Sequence, residues 1–555
     1  MKYLILTAIE KMSVKNLTII FCTIILAIQT VLLYSCMSVY PEPNSDYAGS
    51  KTKGDVQKNQ QNISEDKPLD INNVAETGGP LKIGIQKTIL LAMENNQSLI
   101  LQRMNPEISR TFEKEELEIF DPLLDAEVSN RRTVADRLSR AGSSTESQTV
   151  DSVTGQISLS KLFPTGTNVG LQGGTTYTDS SLYSDTFTSN RLGVTVTQAL
   201  LQGMDICANL ARVHQARIET LISEYELRGF MEILLEEVES KFWDYALAQR
   251  QIEIYTNSLN LAEKQMSEVQ ERIVIGQLAE TELAAAQAEV ALRRENLINA
   301  RSDLAKEHLN LLRLINPSKN IDWEKDIILE YETSLPSIKL DKVEQHVQVA
   351  MKMRPDLNQA RLQIQQGDLE VIRTKNGLLP KMDFFITFGK TGYADTFNRS
   401  TDNIFGDSYD VTGGLIFEYP PINQGARARY SRAVIGRRQL LEALKNLYQL
   451  VQVDVRSAYI EATRSSEQIT ATAATRNFQE EKLRTETEKF RVGKSTSLLV
   501  AQAQRDLLGS QIAEIQAFAN YLKALVTLYR LEGSLLQRRG IAAPGIKTIN
   551  LDSDR

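Results

Sequence analysis

The stretch between Gly203 and Gly276 contains no proline, and its apolar residues recur at steps of three and four. This spacing is that of the a and d positions of a coiled coil, where one side of a helix faces a partner helix. At 1.5 Å per residue, one helix of this length reaches about 100 Å, which no compact globular core requires. The stretch therefore predicts a rod. Its seam residues are Leu227, Met231, Leu234, Val238, Phe242, Tyr245, Ile252, Tyr255, Leu259, Ala262, Met266, Val269 and Ile273.

Beyond residue 80 the chain repeats itself. Each half has the order short helix, strands, very long helix, glycine turn and long helix, which identifies an internal duplication. The matching positions in the two copies are Pro122 with Pro380, Gly203 with Gly425, and Gly276 with Gly493. The glycine pair at 276 and 493 predicts a tight turn between two long helices in each half.

The duplication divides the chain into six segments. The first half is predicted at 81–317, with strands at about 121–199 and long helices at 203–275 and 278–315. An inter-repeat equatorial segment at 318–349 separates it from the second half at 350–537, with strands at about 380–419 and long helices at 425–491 and 496–536. The remaining segments are a signal peptide at 1–35, a polar tether at 36–80 and a C-terminal tail at 538–555.

The predicted strands alternate apolar and polar residues. In the strand after Pro380, Phe384, Ile386 and Phe388 face one way and Asp383 and Thr387 the other. This pattern suits both a membrane β-barrel wall and a soluble, half-buried antiparallel sheet, and the export signal favours the membrane. One chain supplies about four strands, or six if an extra first-half segment is counted, whereas the smallest closed membrane barrel has about eight. Several copies must therefore pool their strands.

The N-terminus carries an export signal. Lys2, Lys11 and Lys15 precede a long apolar run that ends at Cys36. The ending, from Leu33 to Cys36, resembles the lipobox of bacterial lipoproteins, and this resemblance makes Cys36 the lipid attachment residue. Cleavage by the ordinary signal peptidase, and an uncleaved anchor, are the alternatives.

The sequence shows no pattern typical of an enzyme or of a cofactor site. The histidines His214, His308 and His346 are scattered, without the spacing of a metal site. The Gly-Lys-Ser at Gly493 resembles the end of a phosphate-binding loop, but the position five before this glycine holds Glu488, which would repel a phosphate. Acidic and basic residues are interspersed, with a net charge of -7, so no basic patch indicates nucleic-acid binding. We therefore predict neither an enzyme nor a bound cofactor or metal.

These features together resemble the TolC-like outer-membrane efflux proteins, of the lipoprotein type, over about residues 81 to 537. The resemblance is carried by the doubled prolines, by "RPDL" at Arg354 to Leu357, by "LFPTGTNVGL" at Leu162 to Leu171, by the strand-to-helix corners "QALLQG" and "YPPINQG", and by the paired glycine turns. It implies an α+β fold in which duplicated antiparallel helical hairpins build a periplasmic α-barrel. It also implies that strands from a homotrimer build a twelve-stranded outer-membrane β-barrel.

The resemblance further implies a function. Such a protein is a passive exit duct in the outer membrane of a Gram-negative bacterium, extending into the periplasm. An inner-membrane transporter drives efflux or type I secretion through a periplasmic adaptor. The rival interpretation is a surface-tethered coiled-coil scaffold or adhesin without transport, which needs no sheet. The exported substrate cannot be named from the sequence.

The resemblance also places Gly276 and Gly493 at the periplasmic tip. In relatives, the helix after the second glycine carries two aspartates, six and nine residues on, which form the constriction; here these positions hold Leu499 and Gln502. The candidate constriction residues are Phe490, Ser495, Leu499 and Gln502. Apolar closure by Leu499 and Phe490 and simple helix-on-helix packing by the same two residues are equally supported.

Overall fold

A computed structural model of the chain describes residues 80–138, 145–181, 185–315, 323–331, 340–545 and 549. The predicted signal peptide, Cys36 and the tether up to residue 79 lie outside the described residues, as do parts of the inter-repeat segment and of the tail.

Each half contains a pair of helices of 11 to 22 residues, strands, two long helices, and one or two helical segments of four to seven residues. The first half comprises β1 Leu81–Gly84, α1 Ile85–Asn95, α2 Gln97–Leu117, β2 Leu123–Leu138, β3 Thr145–Leu162, β4 Thr167–Ser180, β5 Phe187–Ala199, α3 Ile206–Asn209, α4 Ala211–Val274 and α5 Thr281–Ile315. The second half comprises β6 Ile327–Glu330, α6 Val343–Met353, α7 Pro355–Asn376, β7 Lys381–Ala394, α8 Phe397–Asn403, β8 Asp410–Glu418, α9 Gln424–Arg491, α10 Ser497–Leu531 and α11 Leu535–Arg538. The predicted α+β fold with duplicated helical hairpins is confirmed.

The long helices persist because nothing within them interrupts their hydrogen bonds. Helix α4 has 64 residues and α9 has 68, which corresponds to about 100 Å each. The seam predicted for α4 is buried over its first half, where Leu227, Met231, Leu234 and Val238 pack into one apolar core with α1, α5 and the chain after α10. A second core joins α7, α9 and α10.

The short helices repeat one local design in both halves. Asn96 stands between α1 and α2, its side-chain oxygen accepts from the Leu99 backbone N–H at 3.2 Å, and its amide donates to the Leu314 carbonyl at 3.2 Å. Arg354 stands at the equivalent break between α6 and α7, where Pro355 begins α7. Proline suits the first helical position because its missing N–H would have no partner there. Both breaks turn the chain beside a long helix.

Six strands form one antiparallel sheet in the order β2, β3, β4, β5, β7, β8. The two halves meet in this sheet where β5 pairs with β7, with Val194 opposite Phe388. They meet again at the other end of the short helices, where β1 and β6 pair in parallel with Leu81 opposite Ile327. The family resemblance implied four strands per copy in a trimer; the described sheet contains six, the larger of the two counts that the sequence allowed.

The sheet has one apolar and one polar face. Successive partners along one row of the apolar face are Leu124, Leu159, Leu171, Val194, Phe388 and Val411. On the polar face, Thr195 and Thr387 lie 3.1 Å apart between hydroxyls, and Arg191 donates two hydrogen bonds of 2.7 Å to Asp410. Most of the apolar row is exposed in the single chain. Within the described ranges, none of the helices combines the length and apolar character needed to cross a bilayer.

Candidate functional site at the helical tips

The two predicted glycine turns have the same geometry. Gly276 and Gly493 have positive φ values of 75° and 73°. The Gly276 N–H donates to the Ile273 carbonyl and the next N–H to the Arg272 carbonyl; at the second turn Gly493 donates to Phe490 and the next N–H to Lys489. This pair of bonds is the Schellman ending of a helix, which needs a left-handed residue and therefore favours glycine. The structure thus places both glycines at the far ends of the long helices.

Phe490 lies between the two hairpins. Only 5% of the residue is exposed, and it packs with Val269 of α4 and Val500 of α10. The Arg272 guanidinium lies 4.6 Å from the centre of the Phe490 ring. A cation held over an aromatic face contributes roughly 0.5–2 kcal/mol, depending on how well water is excluded. In the single chain this candidate residue therefore joins the two hairpins at their tips.

Polar contacts add to this joint. The Ser497 hydroxyl donates to the Glu282 carboxylate across the hairpins, and Gln265 donates to the Ser497 carbonyl at 3.5 Å. The Ser495 hydroxyl donates to Glu486 at 2.8 Å. Hydrogen bonds from Lys489 and from Ser495 hold the pKa of the Glu486 carboxyl below its usual range. Ser495 is thus tied to the end of α9.

Three faces of α10 near the tip have different surroundings. Val500 and Ala503 are buried. Leu498 and Ala501 line a cleft of about 300 Å³ against α5. Leu499, which is 46% exposed, and Gln502 face away from the buried residues and from the cleft, and both are exposed in the single chain. The structure therefore brings Leu499 and Gln502 to one free face, and keeps Phe490 on the buried side.

Sequence reasoning missed the contacts that join the hairpins, among them two at the tips. The stacking of Arg272 on Phe490 and the bond from Ser497 to Glu282 connect residues more than 200 positions apart. The internal repeat was the one signal that could have suggested them, because it aligns the two tips. Over the described ranges, no group of three or more His, Cys, Asp or Glu side chains is arranged to hold a metal.

A family model described as outer membrane efflux protein matches residues 160–317 and 346–534. The chain belongs to the outer membrane efflux protein family. The match contains both tips, and it begins after β2 and nearly all of β3. This chain is therefore a component of outer-membrane efflux. The comparison with curated protein sequences finds no match.

Solved structures share the fold of this efflux protein. The CusC channel aligns with a TM-score of 0.61 at 16% identity, over 86% of this chain and 99% of that one. The CmeC channel of Campylobacter jejuni aligns with a TM-score of 0.61 at 14% identity, over 87% and 94%. VceC of Vibrio cholerae aligns with a TM-score of 0.59 at 15% identity, over 81% and 96%. The fold is shared even though few residues are.

Proposed function

We propose that this efflux protein is the passive exit duct of a tripartite efflux or type I secretion assembly. Three copies pool their strands into one barrel in the outer membrane of a Gram-negative bacterium. Their long helices continue through the periplasm as an α-barrel and dock on a periplasmic adaptor, and an inner-membrane transporter supplies the energy. No step needs a cofactor or a catalytic residue.

The observation that carries this proposal is the two-faced sheet joined to long helical hairpins. Its apolar face is exposed, and its polar face carries Thr195, Thr387 and the Arg191–Asp410 pair. A membrane wall needs lipid on one face and water on the other. A coiled-coil scaffold or adhesin would need no such sheet, so this face pattern favours the duct.

The proposal is tested by conduction. Purified protein added to a planar lipid bilayer should form water-filled channels with discrete current steps, and its mass in detergent should be that of three chains. A scaffold would give no current steps. A stable single chain with a fully formed barrel would contradict the trimer.

At the tip, we propose that Ser495, Leu499 and Gln502 narrow the pore and that Phe490 holds the two hairpins together beneath them. Leu499→Asp with Gln502→Asp would place six carboxylates in a trimeric ring, where a focused negative potential concentrates cations. We expect the preference for cations over anions to rise by about threefold or more, with block by divalent cations.

The controls for this prediction use the other faces of α10. Leu498→Asp adds one exposed carboxylate beside α5 and should leave selectivity near that of the parent. Val500→Asp with Ala503→Asp buries charge and should act through misfolding alone. If the 499/502 variant forms trimers with unchanged selectivity and divalent block, Leu499 is an ordinary packing residue.

We further propose that residues 1–35 are removed and that the mature chain begins at Cys36, with the polar segment 36–80 linking this residue to the first repeat. Two acyl chains on Cys36, together with the barrel, would hold the protein in the outer membrane, since stable anchoring takes more than one signal. Cells grown with radioactive palmitate should label the parent and lose the label in Cys36→Ala. Label retained by this variant would exclude Cys36 as the attachment residue.

A further inference from the structure

Both edges of the sheet are unpaired in the single chain. Strand β2 forms one edge and β8 the other. The residues of β2 from Leu123 to Asp136 are all exposed, with Val128 at 81%. A free strand edge presents unpaired N–H and carbonyl groups, and such edges are not tolerated in hydrocarbon. If the sheet lies in the membrane, each edge needs a strand from another copy.

The β2–β3 hairpin, which precedes most of the family match, has the same two faces as the rest of the sheet. On β2, Leu124, Ala126 and Val128 share the apolar face, opposite Leu159, Ile157 and Gly155 of β3. Between them on the polar face stand Asp125, Glu127 and Ser129. The run of apolar positions on β2 is as long as the runs Leu192 to Val196 on β5 and Phe384 to Phe388 on β7. The hairpin is therefore suited to the same lipid layer as the other four strands.

The apolar band also has the slope of a barrel wall. Ala126 is the middle residue of the apolar band on β2. Its successive register partners across the sheet are Ile157, Gly173, Leu192 and Lys390, and continuing the register one residue past the Gly389–Asp410 pair brings this row to Tyr409. The apolar band of β8 runs from Val411 to Phe417. Its middle is therefore displaced from Tyr409 along the strand, by about one residue for each strand crossed. With about 3.3 Å along a strand and about 4.8 Å between strands, this stagger corresponds to a tilt of about 35°, near the tilt of membrane barrels.

We propose that β8 of one copy pairs with β2 of the next, so that three copies close an eighteen-stranded barrel. The proposal rests on the trimer of the proposed function and goes beyond it in strand number and in naming the seam. The pairing is antiparallel, because β2 leaves the helices and β8 returns to them. With six strands per copy, the ring closes with every neighbouring pair antiparallel.

The faces of the two edge strands restrict their register. The apolar face is carried by the odd-numbered residues of β8 and by the even-numbered residues of β2. An odd-numbered residue of β8 must therefore lie opposite an even-numbered residue of β2. Aligning the helix-side ends puts Glu418 beside Leu123. On the lipid side, this alignment sets Phe417 beside Leu124, Leu415 beside Ala126 and Gly413 beside Val128. On the water side, it sets Thr412 beside Ser129 and Asp410 beside Arg131, a pair of opposite charge. Directly opposite pairs of these kinds stabilise a sheet.

The strand number has a consequence for transport. Barrel diameter grows roughly in proportion to strand number, so eighteen strands give a lumen about 1.5 times as wide as twelve. Barrels of about 16–18 strands leave an open aqueous channel. The outer-membrane end would then pass bulkier cargo than a twelve-stranded barrel, and the tips would set the size limit.

The competing arrangement leaves the β2–β3 hairpin outside the barrel. The edge of β4 would then pair with β8 of the neighbouring copy, which closes twelve strands from three copies. The faces again require even-numbered residues of the two strands to lie beside each other on the water side. Aligning the helix-side ends, with Glu418 beside Gly166 directly before β4, puts Thr412 beside Gln172. The two arrangements thus predict different neighbours for one residue.

Paired cysteines distinguish them in the full-length trimer. We expect Thr412→Cys with Ser129→Cys to form a disulfide between copies, so that under oxidation the monomer band is lost to a covalent trimer that reduction reverses. Thr412→Cys with Gln172→Cys should stay monomeric on the same gel, as should each single variant. Native mass in detergent reports for every variant whether three chains are assembled.

Each other outcome overturns the proposal in a different way. A trimer linked through positions 412 and 172 would establish twelve strands and leave the proposed function standing. A trimer linked by neither pair would exclude this seam. Absence of any trimer in the parent would overturn the proposed function and, with it, the eighteen-stranded barrel.

Discussion

Glu532→Gln should lower the free energy of unfolding of the helical part by about 3 kcal/mol, because breaking a buried ionic network leaves its partners unpaired. Glu532 follows α10 and is fully buried. His346 Nδ1 lies 2.5 Å from its carboxylate, Arg538 donates to it at 3.0 Å, and the Ser534 hydroxyl donates as well. These groups connect α6, α10 and α11. Thermal unfolding at fixed protein concentration, followed by circular dichroism at 222 nm, measures the loss.

The effect of Glu532 should depend on pH. Burial raises the pKa of this carboxyl, but hydrogen bonds from His346 and Ser534 and the charge of Arg538 outweigh burial, and the net pKa lies below the usual 4.5. A carboxyl with a lowered folded-state pKa stabilises the fold above its unfolded pKa, and this contribution is lost as the pH falls through the folded value. The difference between parent and variant should therefore shrink below about pH 4.5. The exposed Glu480→Gln serves as control. An equal melting temperature for Glu532→Gln and the parent at pH 7 would contradict the prediction.

Glu232→Gln should have the opposite effect and raise the free energy of unfolding by about 2–4 kcal/mol at pH 8 relative to the parent. Glu232 lies on α4 with 2% exposure. Arg228 is 3.7 Å away, but its guanidinium donates to the carbonyls of Gly545 and Gly533. Arg530 is engaged by Glu236. Burial therefore dominates over these cations and raises the pKa of Glu232 to about 8.

The sign follows from proton binding. Between about pH 4.5 and pH 8, folded Glu232 keeps a proton that the unfolded chain has released. Stability from this residue is therefore greatest at low pH and falls as the pH rises through that window. In melting curves recorded from pH 5 to pH 8, the melting temperature of the variant should rise steadily relative to that of the parent. Glu237→Gln, on an exposed part of the same helix, should show no such trend. If the melting temperatures of Glu232→Gln and the parent differ by the same amount at every pH in this range, the pKa of Glu232 is not raised.

The two glutamates illustrate a limit of sequence reading. Both are ordinary charged residues in or directly after a long helix, where carboxylates mixed with lysine and arginine are usually interpreted as a solvated face. For Arg476 and Glu480, on the open side of α9, this interpretation describes the structure. For Glu532 and Glu232 it was wrong, because their burial depends on helices and loops that lie hundreds of residues away in the chain.

By itself, the sequence determined the features that depend on neighbours in the chain. The unbroken helical period of α4, the positive φ at Gly276 and Gly493, and the alternation of the strands each follow from local physical rules, and duplication made each one visible twice. Only the tertiary structure decided which strands share the sheet, that Phe490 packs under Arg272 between the tips, and that β2 is left as a free edge. Those outcomes depend on pairing and burial between distant segments, whose free energies arise only when the two halves of the chain meet.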